Sequence, residues 1–503
     1  MIATTTIAER ANNEKSTCDL SDWEALKEMF ARAAEQYELD DIAAALSLLR
    51  GVIHECHRFL LRYLDPSVLY LPPVHPRLSP ETLTPPEERL YRDWESSERP
   101  RKSSPSPTRV VRKRERPSRS TDLPTAFHAI LGITLFLFGN LVSQDPSLVL
   151  QGEPPSPIPY WLAALDVFET GENLPSRTNG FSGDAEDWRM AIVWGRTLVC
   201  LADEKISLMA RAKTETDARI PVEEPKWPTD SPFHTIAVRR PPVTRRTSLA
   251  TATPNDLMVL AMDQFSRGIF HMPHPQYAHT TSAIFSRPST SSAVPIPVPV
   301  SPDALGFSRP KELFTIASEV LSVAERLQEA DERRYWASWA DSVFNQMKME
   351  ADMSEWRTRI TIARGRCWLI AGSAKVDDLE DALEHGNSDI LMSRDAEEAR
   401  EGLAMAISFF DRAKGSASAA SSETDLHELQ PLVGLCLCVS KNPLTEALLS
   451  LANITIDDVQ REELYSRAQA EGGDSIILSP SSESPNMSPT TNIHDPVVPM
   501  DES

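Results

Sequence analysis

Four adjacent side chains, His54, Glu55, Cys56 and His57, are all of types that ligate transition metals or move protons. Their spacing argues against that chemistry. Consecutive residues on a helix point about 100° apart, so no three of the four converge on one ion. A second candidate, His271, His274 and His279, lies among proline and threonine, with no helix to fix the ring geometry that a metal demands. Cys436 and Cys438 fall in the apolar run LVGLCLCV, where cysteine behaves as a small hydrophobe. The chain contains no glycine-rich phosphate loop, dinucleotide fingerprint or nucleophile elbow. These patterns predict no metal, no cofactor and no enzyme, the alternative being an active site assembled from distant segments without a recognisable motif. His54 and Arg58, one turn apart, share a helix face beside Glu55, and these three are the candidates for contacting a protein partner.

The helix that must carry them is predicted over Asp40 to Asp65. Its apolar residues Ile42, Leu46, Leu49, Ile53, Cys56, Leu60 and Tyr63 recur every three or four positions and form one stripe. A second stripe, Trp23, Leu26, Phe30, Ala33 and Tyr37, precedes it across the short polar turn Glu38 to Asp40. Two such helices make an antiparallel hairpin of the tetratricopeptide kind. One hairpin cannot bury its own apolar face, so it requires neighbours.

Those neighbours are readable downstream. AFHAILGITLFLFGNLV, from Ala126 to Val142, is apolar almost throughout; it is shorter than a bilayer requires and contains His128, which predicts a central helix buried on all sides rather than a membrane anchor. Helical periodicity follows at Tyr160 to Glu169, Asp187 to Lys213 and Thr253 to Phe270, the last behind a Thr-Pro-Asn-Asp start. Further helices are predicted over Lys311 to Gln328, Glu332 to Met349, Ser354 to Ala371, Asp395 to Lys414, Glu428 to Val439, Leu444 to Ala452 and Asp457 to Ala470. Ala406, Phe410 and Ala413 match the small-large-small spacing of a tetratricopeptide second helix, and Tyr465 and Ala468 repeat its last two positions. The Trp356 helix supplies the matching first helix, with Val376 to Arg394 inserted between the two.

The fold class expected is all-α, a tetratricopeptide-like helical-hairpin repeat solenoid with long disordered insertions and a disordered C-terminal tail. The expected organisation is a disordered N-terminus (1–20), an N-terminal hairpin block (21–96), a basic disordered linker (97–122) and central helices (123–213). A disordered insertion (214–252), one helix (253–271), a Pro/Ser-rich insertion (272–309), C-terminal helical repeats (310–472) and a disordered acidic tail (473–503) complete it. Forty prolines against 18 glycines fit helical blocks joined by Pro/Ser-rich segments. The net charge of -22 excludes a broadly basic nucleic-acid binder. Charge is nevertheless uneven: Arg99 to Arg119 holds nine basic residues and one acid. Within it Arg112, Lys113, Arg114 and Arg116 have the composition of a nuclear-import signal. Arg245, Arg246 and Thr247 before Ser248 fit a basophilic kinase site at Ser248. Six scattered cysteines and an N-terminus without an apolar leader predict a reducing compartment.

The run LLRGVIHECHRFL, Leu48 to Leu60, resembles the L-x-G-I-V-H-E-C-D-R-L-L signature of the fungal enhancer of translation termination family, with His57 where an aspartate is usual. Phe127 to Leu135, FHAILGITL, is similar to that family's F-H-G-I-Y-A-L-A-L segment, and the Trp356 and Ala396 to Lys414 helices fall where the family has its C-terminal repeats. The resemblance covers about half the chain and leaves out its Pro/Ser-rich insertions. It implies a nuclear adaptor required for correct translation termination and tied to hypoxic gene expression. The partners it implies are a 2-oxoglutarate-dependent prolyl hydroxylase and a ribosomal protein, with the import machinery engaged through the basic linker, and no direct nucleic-acid or membrane contact. The alternatives are a membrane-associated adaptor anchored by 126–142 and the motif-less enzyme.

Overall fold

An aspartate begins the first helix and another begins the second. In the computed structural model, α1 (Leu20–Glu38) starts behind Asp19, which accepts from the Ser21 and Asp22 amides while Asp22 reaches back to the Asp19 amide. The chain then turns through Asp40 at φ 56°, a left-handed conformation that aspartate tolerates better than most residues. Asp41 accepts from the Ala44 amide and opens α2 (Ile42–Arg62). The stripe on α2 buries Leu46, Leu49, Ile53, Cys56 and Leu60, and α1 meets it with Trp23, Leu26 and Ala33. The structure describes residues 18–71, 122–175, 186–214, 229, 231–239, 252–274, 307–350, 353, 356–419 and 442–472. Arg112, Lys113, Arg114, Arg116, Ser248, His279, Cys436, Cys438, the Glu428 to Val439 helix and the 473–503 tail lie outside the described residues.

All regular elements among the described residues are helical, and they associate as hairpins. The apolar run becomes α3 (Ala126–Gln144), packed against α1, α2, α4 (Ile158–Glu172) and α5 (Trp188–Thr214). Extended to Gln144, α3 is long and apolar enough to cross a bilayer by length and composition, against the sequence expectation that the run is too short, yet 78% of its most apolar window is buried within the protein. Its partner α4 comes very close because Gly132 leaves room for the Phe168 ring: a Cβ at 132 would sit 2.2 Å from that ring. The long α5 pairs with α7 (Pro254–His271), which opens on the Thr253–Asp256 capping box that the sequence announces. α8 (Arg309–Arg326) pairs with α9 (Ala330–Met347) and also reaches α5.

One short helix falls where the sequence predicts a disordered insertion. α6 (Pro232–Val238) lies on α2 and α4, with Ser231 accepting from the Phe233 amide and proline at the first turn. Its two turns are too short to generate periodicity, and the Ser-Pro start is its only local signal.

The chain divides into two compact units, Met1–Ala363 and Arg364–Ser503, the boundary falling within α10 (Arg357–Ser373). In the second unit α10 meets α12 (Arg394–Ala419) at backbone distance: a Cβ on Gly372 would lie 2.8 Å from the Leu403 amide nitrogen. Phe410 fills the space over Gly365, and Ala406, Phe410 and Ala413 are buried, as the repeat spacing requires. The stretch expected as an insertion, Val376 to Arg394, instead contains α11 (Val376–Glu384) and a 3-10 turn, Ser388–Met392. Val376 and Leu379 enter the same core as Leu403, Ala406 and Phe410, so α11 is part of the repeat. α13 (Pro443–Asn453) and α14 (Asp458–Gly472) close this unit as a further hairpin, with Ala468 buried.

Candidate functional site

The helix α2 turns its polar residues towards neighbouring helices. Arg58 donates to Glu55 at 2.9–3.0 Å and reaches Asp22 of α1 at 3.4 Å, so its guanidinium ties the hairpin together. His57 Nε2 lies 3.0 Å from Thr235 Oγ1 of α6, and burial, reinforced by His54 and Arg239, lowers its pKa. Arg239, just past α6, donates to the carbonyls of Leu60 and Tyr63 and so caps the end of α2. Cys56 is fully buried, and burial raises its thiol pKa, which leaves the sulfur a packing group. His54 is exposed. Of His54, Glu55 and Arg58, only His54 therefore faces solvent freely, while Glu55 and Arg58 form one inter-helix cluster with Asp22.

Gly51 lies in the middle of α2. A glycine in mid-helix marks a close approach, and the natural partner for it is the apolar α3. In the structure a Cβ at Gly51 would instead meet the Met29 sulfur of α1 at 3.3 Å. The approach of α2 to α3 is made by Phe59 and Phe127, with ring centroids 5.9 Å apart. Gly51→Ala is then expected to be neutral or mildly stabilising, because a thioether gives way readily and alanine favours helix. Gly51→Leu should cost about 1–3 kcal/mol by overpacking. Thermal denaturation of the two variants checks this, and a leucine variant melting with the wild type would place Gly51 at an open surface.

Deeper in the first unit, polar groups converge from five helices, α1, α3, α4, α5 and α8. Asn140, inside the apolar α3, accepts from Trp161 Nε1 of α4 at 3.0 Å and donates to Tyr37 of α1 at 3.3 Å. Nearby, Arg196 of α5 makes a bidentate pair with Glu319 of α8 at 2.6–3.0 Å and lies 5.2 Å from the Phe136 ring centre. Burial disfavours the Arg196 charge, but Glu319 and then Glu312 outweigh it and raise the pKa. Burial also raises the pKa of Glu312. Arg50 of α2 similarly clamps Glu153 at 2.8 Å and the Leu148 carbonyl, over the Phe138 ring. Such pairs fix the register of neighbouring helices. Sequence reading missed Arg196, although it carries a signal: it lies between Ile192 and Val199 on the apolar stripe of α5. Among the described residues no three His, Cys, Asp or Glu side chains are placed to hold a metal ion.

Residues on either side of the basic segment in sequence, Tyr70 and Asp122, meet at one spot. Tyr70 stacks on Trp23 with centroids 4.6 Å apart, and its hydroxyl donates to the Pro124 carbonyl at 3.1 Å. Asp122 accepts from Trp23 Nε1 at 2.9 Å and from Lys27 at 3.1 Å. Burial raises the Tyr70 pKa and keeps the phenol a donor. Tyr70 and Asp122, which lie on either side of the sequence segment carrying Arg112, Lys113, Arg114 and Arg116, thus both contact Trp23 on the first hairpin.

No family model matches the chain, and no curated protein matches it significantly. Two solved structures of the S. pombe nuclear import adaptor Nro1 resemble it at TM-score 0.39. One has 13% sequence identity and covers 89% of this chain and 91% of that one. The other, described as the hypoxic regulator of sterol synthesis, has 14% identity and covers 89% of this chain and 86% of that one. At those values neither activity nor partner is taken from the likeness.

Proposed function

We propose that the chain is a nuclear helical-repeat adaptor, which holds protein partners on its hairpins and displays a basic import signal from a fixed mount. The observation that carries this is the meeting of Tyr70 and Asp122 on Trp23, because these residues flank a sequence segment with nine basic residues between Arg99 and Arg119. A signal tethered at both ends to a rigid block stays available to the import machinery whatever the hairpins hold. The strongly negative chain favours basic partner segments. The signature at Gly51 to Arg58 supports partners of the class it implies, a 2-oxoglutarate-dependent prolyl hydroxylase and a ribosomal protein, with roles in translation termination and hypoxic gene expression. Burial of α3 among four helices supports the adaptor over an anchor at 126–142.

Replacing Arg112, Lys113, Arg114 and Arg116 together with alanine is expected to move a fluorescent fusion from nucleus to cytoplasm while its melting curve stays unchanged. A nuclear mutant would defeat the import assignment. Capture from nuclear extract by the wild-type chain, with mass-spectrometric identification, tests the partner classes.

A further inference from the structure

The second unit exposes apolar side chains at one end, inside an acidic field. Met392 is 77% exposed, Ile456 50% and Val459 78%. Met392 is far in sequence from Ile456 and Val459, and one arginine joins the two segments that carry them. Arg400 of α12 donates from a single nitrogen to the Leu391 carbonyl at 3.0 Å and to the Ile454 carbonyl at 3.2 Å, which clamps the turn before α12 against the turn between α13 and α14. A second link joins the same parts: Asn453 donates to Glu380 of α11 at 2.7 Å and accepts from the Tyr465 hydroxyl at 2.6 Å. Fully buried Ile454 pins the turn from below, and Asp457 accepts from the Val459 amide at 2.9 Å, so Val459 is held outward rather than free to collapse. Single exposed hydrophobes are ordinary on a protein surface; several gathered on one rigid end, with polar groups around them, mark an interaction site.

The surroundings fix the partner's charge. Between Val376 and Met392 there are six carboxylates and no lysine or arginine. Asp378, Asp381, Glu384 and Asp389 have no cationic partner among the described residues. Of the basic side chains nearby, Arg461 pairs with Asp458, Arg394 with Glu398 and Lys375 with Asp395, while Arg400 is turned inward onto the Leu391 and Ile454 carbonyls. We infer that this end of the second unit binds a protein segment in which aliphatic side chains stand between lysines and arginines, the aliphatic groups covering Met392, Ile456 and Val459 and the cations meeting the α11 carboxylates. The contact is preorganised, because Arg400 and Asn453 hold the turns before any partner arrives. Its electrostatic part weakens with added salt, since the carboxylates are exposed.

This rests on the adaptor reading of the chain but is separable from it. The probe is a fluorescent peptide with two adjacent valines between clusters of lysine and arginine, titrated into the full chain by anisotropy. A control peptide replaces the valines with serine and keeps every charge. The valine peptide is expected to bind about tenfold more tightly than the control, and a chain carrying Met392→Ser and Val459→Ser should lose that preference while melting normally. Equal binding of the two peptides would reduce the surface to general charge attraction and overturn the inference. Preference retained by the double variant would place the binding elsewhere and overturn it equally, with the adaptor reading intact. Self-association abolished by the double variant would make a second copy the occupant and likewise overturn it. Failure of the chain to capture any basic partner from nuclear extract, by contrast, would count against the adaptor reading itself.

Discussion

Leu135→Asp is expected to unfold the first unit. Leu135 is wholly buried in α3, which packs against four other helices. An unpaired carboxylate there costs about 4 kcal/mol or more, against a total stability on the order of 5–15 kcal/mol for a domain. The neighbouring position makes the comparison sharp. Phe136 is equally buried, but Arg196 lies over its ring, so an aspartate at 136 would find a guanidinium at the cost of disturbing the pair with Glu319. Phe136→Asp should therefore be destabilising yet milder than Leu135→Asp, although residue volume alone would rank them the other way. Circular dichroism melts of the two variants decide the matter. A Leu135→Asp protein that melts with the wild type would mean that the faces of α3 are not packed against protein, and would restore the bilayer-facing alternative.

That contrast shows what was legible beforehand. Periodicity located α1, α2, α3, α5 and α7 to within a few residues, because burying one stripe or one whole helix dictates residue type position by position. Periodicity says nothing about which helix receives the stripe. Gly51 announced a close contact correctly, but its partner is Met29 rather than α3, since a missing side chain records proximity and not identity. Local spacing puts Arg58 on one face with His54 as a candidate partner contact, whereas its tie to Asp22 of the other helix is invisible to that spacing. α11 reads as an insertion in sequence because its run of acids hides only two apolar anchors, Val376 and Leu379. The polar ties that set register, Arg196 with Glu319 and Asn140 with Trp161, join residues brought together by the fold alone.

His128 is expected to make the first unit acid-sensitive. It follows Phe127 at the start of α3, is 3% exposed, and its Nδ1 has no hydrogen-bond partner. Its wall includes Gly171 of α4, where a Cβ would come within 2.8 Å of the His128 Cβ, so water has little room to enter. Burial lowers its pKa to about 4; Asp65 opposes the shift and Arg239 reinforces it. The unfolded chain holds this imidazole near 6.5, so between about pH 6.5 and 4 the unfolded state binds the extra proton and the folded state does not. The stabilising effect of keeping the ring neutral is thus complete above about pH 6.5 and lost as the pH falls, by about 3 kcal/mol at the acid end. His128→Phe removes the titration and the orphaned nitrogen while keeping an aromatic ring. Buried carboxylates such as Glu312 and Asp203, whose pKa values burial raises, slope the opposite way, but they are common to both proteins and cancel in the difference. Urea denaturation at a series of pH values should show the variant gaining on the wild type steadily from pH 7 down to pH 4. Parallel stability curves would mean that the fold accepts a protonated His128, and that the apolar start of α3 is open to water or to a counter-charge.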